Sequence, residues 1–207
     1  MPLLELNNVS LSFKDQSLFE NINLSINKGD KLVISGPSGT GKTSLLKLIL
    51  GFIPGFEGQI SFQNETITHH NIWKVRRSIG YISQDSDIGE GKVGQLIEDI
   101  FSLKVNIKLK PDPGKIKELF HFFRLEESTL AKDFEELSGG EKKRVAIIIS
   151  ILLKRDFFFL DEITSGLDDE VLKTVIGYFM ESDHTAIIIS HDKEWMKKQG
   201  VKEFKLN

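Results

Sequence analysis

The stretch Gly36-Pro-Ser-Gly-Thr-Gly-Lys-Thr43 limits this chain's fold more than any other. Its Gly-x-x-x-x-Gly-Lys-Thr spacing follows the apolar run Lys31–Ser35 and opens the helical pattern Lys42–Leu50, so it reads as a phosphate loop joining a strand to a helix. Glycines let the backbone come close to a phosphate with its N–H groups turned inward. The helix that follows adds its positive N-terminal end. The candidate phosphate-binding residues are Gly36, Pro37, Ser38, Gly39, Thr40, Gly41, Lys42, Thr43 and Ser44. Among them, Lys42 would reach the β- and γ-phosphates, and the Thr43 hydroxyl would ligate Mg²⁺.

The acidic partner of such a loop is Phe157-Phe-Phe-Leu160-Asp161-Glu162. Four large apolar residues make a buried strand, and both acids fall where it emerges, the edge at which open α/β sheets bind ligands. Asp161 would hold the Mg²⁺ through water, and Glu162 would face an attacking water as general base.

The rest of the chain alternates short apolar runs with helical patterns, the sign of an α/β protein with a mainly parallel sheet. Leu3–Leu6, Val9–Phe13 and Ile22–Ile26 read as an antiparallel β region at the N-terminus, and Gln59–Phe62 and Ile79–Ser83 as further strands. From about Val93 to Phe134 the pattern switches to helical spacing within residues 85–136, interrupted by Lys110-Pro-Asp-Pro-Gly114, where proline stops a helix and Asp-Pro-Gly favours a turn. They are expected to form a small helical subdomain inserted into a catalytic core of residues 1–84 and 137–207, all within a single domain. Helix is expected at Gly139–Leu153, Asp168–Met180 and Glu194–Lys198, and strand at Phe157–Asp161, Ala186–Ser190 and Lys202–Leu206.

Composition narrows the function. A chain of 207 residues with net charge −3 lacks the basic excess of a dedicated nucleic-acid binder. Without cysteine it has neither disulfides nor thiolate metal sites, which suits the cytoplasm. Its N-terminus has no signal-peptide pattern, and its most apolar stretch, Val145–Leu153, is stopped by Lys154, Arg155 and Asp156, well short of the ~20 residues a membrane span needs. Work at a membrane would require an anchoring partner.

Leu137-Ser-Gly-Gly-Glu-Lys-Lys-Arg144 decides the class. Ser138, Gly139 and Gly140 expose N–H groups at a second helix start, a second anion-binding device in a chain with one phosphate loop. The simple explanation is that this device serves another molecule, two copies meeting head to tail with nucleotide between them.

Here the sequence resembles the ATP-binding-cassette (ABC) ATPases over nearly its whole length. Leu137–Glu141 is a variant of that family's LSGGQ signature. Gln84 sits like its Q-loop glutamine, Ser165-Gly-Leu-Asp168 looks like its D-loop, and His191 follows a strand like its switch histidine. Phe13 matches the aromatic that stacks on adenine.

The resemblance implies a P-loop ATPase fold, ATP and Mg²⁺ as ligands, and a role for each matching residue. Gln84 and Asp161 complete the Mg²⁺ site begun by Thr43, Glu162 polarises water, and His191 stabilises the γ-phosphate in the transition state. Ser138 and Gly140 of a second copy close on that phosphate, and Asp168 sets the dimer contact. Phe13 in place of tyrosine keeps the stacking ring. Glu141 in place of glutamine adds a negative charge near the partner's nucleotide, and Gly166 replaces alanine.

One short cassette with no fused membrane helices points to the ATPase subunit of a transporter, peripheral on the cytoplasmic face of the cell membrane and bound to a multi-spanning permease. The groove for the permease is expected at Gln84 and residues 85–101. The alternative is an ABC ATPase acting on DNA or ribosomes. However, the interval between phosphate loop and signature, about a hundred residues, lacks sustained heptads for a long coiled coil, and there is no second cassette. A nucleotide kinase would have no use for Leu137–Gly140. No nucleic-acid partner is expected. His69-His70 reads as a solvated loop, Phe120, Phe122 and Phe123 as core of the helical segment, and Trp73 and Trp195 carry no assigned role.

Overall fold

The computed structural model describes residues 1–13 and 16–207. Two sheets organise it. The first is antiparallel, in the order β2-β1-β4-β5, built from β1 (Leu4–Phe13), β2 (Gln16–Ile26), β4 (Glu57–Phe62) and β5 (Glu65–Thr66). The second is parallel, in the order β6-β7-β8-β3-β9, from β3 (Lys31–Ser35), β6 (Ile79–Ile82), β7 (Phe157–Asp161), β8 (Thr185–Ile189) and β9 (Val201–Lys205). The helices are α1 (Lys42–Ile49), α2 (Ile72–Ser78), α3 (Val93–Ser102), α4 (Pro113–Phe122), α5 (Gly139–Leu152), α6 (Asp169–Glu181) and α7 (Lys193–Met196). No described helix is long and apolar enough to cross a membrane.

The parallel sheet separates two cores because side chains alternate across a strand. Phe157, Phe159, Ile187 and Ile189 face the core that holds α1, α2 and the antiparallel sheet. Phe158, Leu160, Ala186 and Ile188 face the core built with α3 to α6. Every residue of β7 and β8 is buried, which is why both read as unbroken apolar runs.

Several local expectations need correcting. Leu3–Leu6 and Val9–Phe13 are one strand, not two. The turn signal of Asn7-Asn8 instead marks an irregularity in the pairing, with Asn8 at φ 50°, and β1 runs through it. The helix α2 and the short β5 were not anticipated, since α2 buries only Ile72 and Val75. Residues 110–114 do more than break a helix: Asp112 caps α4 by accepting from the Gly114 N–H at 2.9 Å, with Pro113 in the first turn where its missing N–H costs nothing. Phe120 and Phe123 are fully buried, whereas Phe122 is half exposed, edge-on to Tyr178. Trp195 is fully buried, its indole N–H without a partner among the described residues. Residues 85–136 contain α3, α4 and two short 3₁₀ turns, Glu127–Ala131 and Phe134–Glu136.

Candidate functional site

The loop after β3 turns because Gly36 and Gly41 allow it. A Cβ on Gly36 would run into the backbone carbonyl of Leu206. One on Gly41, at φ 89° immediately before α1, would sit 2.6 Å from the Leu18 side chain. Lys42 is buried, and its ammonium bonds the carbonyls of Gly36 (2.9 Å) and Pro37 (2.7 Å). That leaves one of its three donors for a phosphate. Thr40 Oγ1 donates to the Pro37 carbonyl at 3.0 Å, closing the turn.

A cavity of about 500 Å³ opens above this loop, at the C-terminal ends of β7 and β8. Ser38, Gly39, Gly41, Lys42, Thr43 and Ser44 line one wall, and Gln84, Asp161, Glu162 and His191 the other. Thr43 Oγ1 donates to Asp161 Oδ1 at 3.1 Å, and the Tyr81 hydroxyl lies 3.4 Å from Asp161 Oδ2. These are hard oxygen donors, few enough that water and phosphate would complete an octahedral shell, which fits Mg²⁺. Burial also pushes the Asp161 carboxyl up, so a nearby cation would offset the cost of its charge.

Glu162 adopts φ 53°, a left-handed conformation uncommon for a non-glycine residue. Its N–H donates to the Ile189 carbonyl at 2.9 Å, and its Oε1 lies 3.5 Å from His191 Nε2. Burial raises its pKa, partly countered by the charge His191 carries when protonated. Both carboxyls therefore hold their protons longer in the fold than in the unfolded chain. Their contribution favours the fold most below the ordinary carboxylate pKa and is lost as pH rises through the raised values.

Asp161→Asn should consequently raise the melting temperature of the nucleotide-free protein at pH 7. A gain of about 2–4 °C corresponds to ~1 kcal/mol for a chain of this size. Steady-state ATP hydrolysis should fall sharply in the same variant. A lower melting temperature would show that the aspartate stabilises the fold through its bonds to Thr43 and Tyr81.

A second cavity, about 350 Å³, shares Ser165 with the first and is lined by Ser138, Gly139, Gly140 and Asp168 among others. Ser138 caps α5 in a capping box: its hydroxyl donates to Glu141 Oε2 at 2.7 Å and accepts from the Glu141 N–H at 3.3 Å. Those bonds hold the Glu141 carboxyl below its ordinary range. Asp168 caps α6 by accepting from the N–H groups of Val171 (2.9 Å) and Glu170 (3.2 Å), and the Val171 bond leads in lowering its pKa.

The anticipated residues thus fall into two groups. Lys42, Thr43, Gln84, Asp161, Glu162 and His191 share one cavity, while Ser138, Gly139, Gly140 and Asp168 surround another. Gly36, Pro37 and Thr40 belong to the loop without lining either cavity, and Phe13 also lines neither; it is half exposed at the end of β1, next to Lys14 and Asp15, which lie outside the described residues. Leu18 and Ile189 line the first cavity outside any expected site, and Ser165, the first residue of the D-loop stretch, lines both cavities. No sequence motif signals Leu18, because its place comes from the hairpin that carries it past Gly41.

The sequence model of the family described as "ABC transporter" matches residues 19–165. A "Probable iron export ATP-binding protein FetA" from Escherichia coli (strain K12) is 32% identical over 199 residues, covering 93% of this chain and 86% of that protein. An "Ergothioneine transport ATP-binding protein EgtV" from Helicobacter pylori (strain G27) is 34% identical over 209 residues, covering 99% and 97%. Among solved structures, cbiO1 from Clostridium perfringens, described as part of the ABC transporter complex cbiONQ, superposes with a TM-score of 0.75 at 28% identity, covering 92% of this chain and 79% of that one.

Proposed function

This chain belongs to the ABC transporter family as an ATP-binding subunit and an ATPase, and from that premise we propose how its residues divide the work. The observation that carries the reading is the separation of the two cavities. The first has a phosphate loop and a carboxylate–histidine pair, and the second has the capped start of α5 and the segment Ser165–Asp168 but no phosphate loop. A monomer holds both halves of an ATP site, in different places. Two copies facing head to tail would bring the Ser138–Gly140 helix start of each onto the nucleotide held by the other.

In the first cavity the backbone of Gly36–Gly41 and the ammonium of Lys42 bind the ATP phosphates. Thr43, Gln84 and Asp161 would hold Mg²⁺. Bound there, Mg²⁺ would neutralise charge on the β- and γ-phosphates. Glu162 accepts the proton of the attacking water, and His191, beside it, faces the γ-phosphate. The α5 N-terminus of the second copy contributes oriented N–H groups to that same phosphate. ATP therefore binds the closed dimer better than the open one, and its hydrolysis releases closure, the differential affinity that any ligand-driven switch requires.

Residues 1–84 and 137–207 act as the catalytic core, and 85–136 as the helical subdomain that meets the membrane permease on the cytoplasmic face. Asp87, Glu90, Gln95 and Glu98 are exposed along the segment expected to form the permease groove. Replacing Glu90, Gln95 and Glu98 with arginine should cut transport by the reconstituted complex at least about tenfold, since like charges or desolvated mismatches at an interface cost several kcal/mol. ATPase activity of the isolated subunit should stay within about twofold, because surface changes away from the site perturb little. Unchanged transport would place the groove elsewhere.

The reading as a whole is tested by co-purification from detergent-solubilised native membranes, using Glu162→Gln with ATP to hold the closed dimer. Recovery of a multi-spanning protein is expected. Recovery of ribosomes or DNA with no membrane protein would overturn the transporter assignment and leave the ATPase chemistry standing.

A further inference from the structure

A buried cation stands in the wall between the two cavities, and the chemistry above does not use it. Lys143 projects from α5 and is only 8% exposed. Its ammonium donates to the Glu162 carbonyl at 3.0 Å, the Ser165 carbonyl at 2.6 Å and Ser165 Oγ at 2.8 Å. All three donors of the ammonium are thereby used within the protein. Lys143 lines the second cavity, and Ser165 lines both.

The Glu162 backbone has reason to need this support. A left-handed glutamate persists only where its surroundings over-determine it. Its N–H is tied to Ile189, and its carbonyl accepts from Lys143 and from the Ser165 N–H at 3.2 Å. The Ile189 and Ser165 bonds lie within the segments flanking the site. Lys143 is the member that comes from a helix, α5, which Ser138 caps and Gly139 and Gly140 begin.

We propose that Lys143 is a positioning residue for hydrolysis: it fixes the left-handed backbone of Glu162 in its own copy and so aims that carboxylate. Because Lys143 rides on α5, the aim follows the seating of α5 on the nucleotide of the other copy. Each ATP site thereby reports its closure to its neighbour through one ammonium. This rests on the reading of Glu162 as general base.

The test compares mixed dimers made from two differently tagged chains, with single-turnover hydrolysis of bound ATP as the readout. One chain carries Glu162→Gln, which silences the site built on its own phosphate loop. The surviving site uses the other chain's Glu162 and the first chain's Ser138–Gly140. With Lys143→Met on that other chain, the surviving rate should fall about 100-fold, the cost of misplacing a catalytic group by around 1 Å, with ATP affinity changed less than about threefold. With Lys143→Met on the Glu162→Gln chain, the surviving rate should stay within about twofold, since changes remote from the reacting groups add little. Lys143→Arg, which keeps the charge but spreads its donors over a bulkier planar group, should restore only part of the rate in the first arrangement.

The reverse pattern would mean that Lys143 serves the helix start facing the partner's nucleotide, and equal losses in both arrangements would mean a general structural role. Either result overturns the proposal. Should Lys143→Met fail to fold, Lys143→Gln, with a shorter neutral side chain, carries the same comparison. The control dimer bearing Glu162→Gln alone tests the underlying reading separately: if its two sites hydrolyse equally well, Glu162 is not the base and the proposal falls with it.

Discussion

Glu162→Gln is expected to slow ATP hydrolysis by about 10²–10⁴-fold, the range that a positioned general base contributes. The amide matches the carboxylate in shape, so the left-handed backbone and its bonds to Ile189 and Lys143 should persist. What disappears is the ability to take a proton from water. Nucleotide binding should stay within a few-fold of wild type, because the phosphate loop and Lys42 are untouched. Phosphate release measures the first effect, and titration with a fluorescent ATP analogue the second. In the wild-type protein, burial holds the Glu162 pKa above its ordinary value, so activity should decline as pH falls through that raised value, at a less acidic pH than a solvated glutamate would give. A variant that hydrolyses ATP within about threefold of wild type would remove Glu162 from the base role.

Phe158→Ala should destabilise the fold by about 3–5 kcal/mol, the usual cost of truncating a buried aromatic ring. Phe158 is fully buried in β7, edge-on to Phe179 at 5.3 Å between centroids and to His184 at 4.9 Å. Those neighbours belong to α6 and to the approach to β8, and β7 itself is paired on both sides in the parallel sheet, so the cavity has little room to collapse. Against a typical stability of about 5–15 kcal/mol, the loss takes a large share. Urea unfolding should show a lower midpoint with an unchanged slope. A change below about 1 kcal/mol would mean that the surrounding rings close over the gap.

How much of this was legible beforehand depended on what each segment's residues had to satisfy. Phe157–Asp161 was read to the residue, because a strand buried on both faces is an uninterrupted apolar run ending in acids. The phosphate loop was legible because its glycines and lysine leave few alternatives at a strand-to-helix join. α2 was missed because a helix with two buried residues has almost no apolar stripe to detect. The continuity of β1 was hidden because two asparagines look the same at a turn and at a bulge.

The sites divide in the same way. Gln84 and His191 stood out by a family pattern, and their gathering around Asp161 came only with the packing of β6, β7 and β8. Lys143 resembles any surface lysine at a helix start, and only its 8% exposure and three carbonyl and hydroxyl partners set it apart. Phe13, matched by its position in a pattern as the ring that stacks on adenine, is half exposed at the end of β1.

The pairing of β3 carries a consequence for biosynthesis. The strand that launches the phosphate loop, Lys31–Ser35, has as neighbours Ala186–Ile189 on one side and Val201–Lys205 on the other. Both are translated long after the loop itself. A ribosome therefore carries Gly36–Thr43 through the synthesis of residues 44–185 without supplying the strands that hold it in shape. Long-range parallel pairing of this kind also forms slowly. A chain terminated before Lys205 would carry the nucleotide motif intact in its sequence and remain unable to grip ATP, so cellular ATP would stabilise only molecules that have gained both strands.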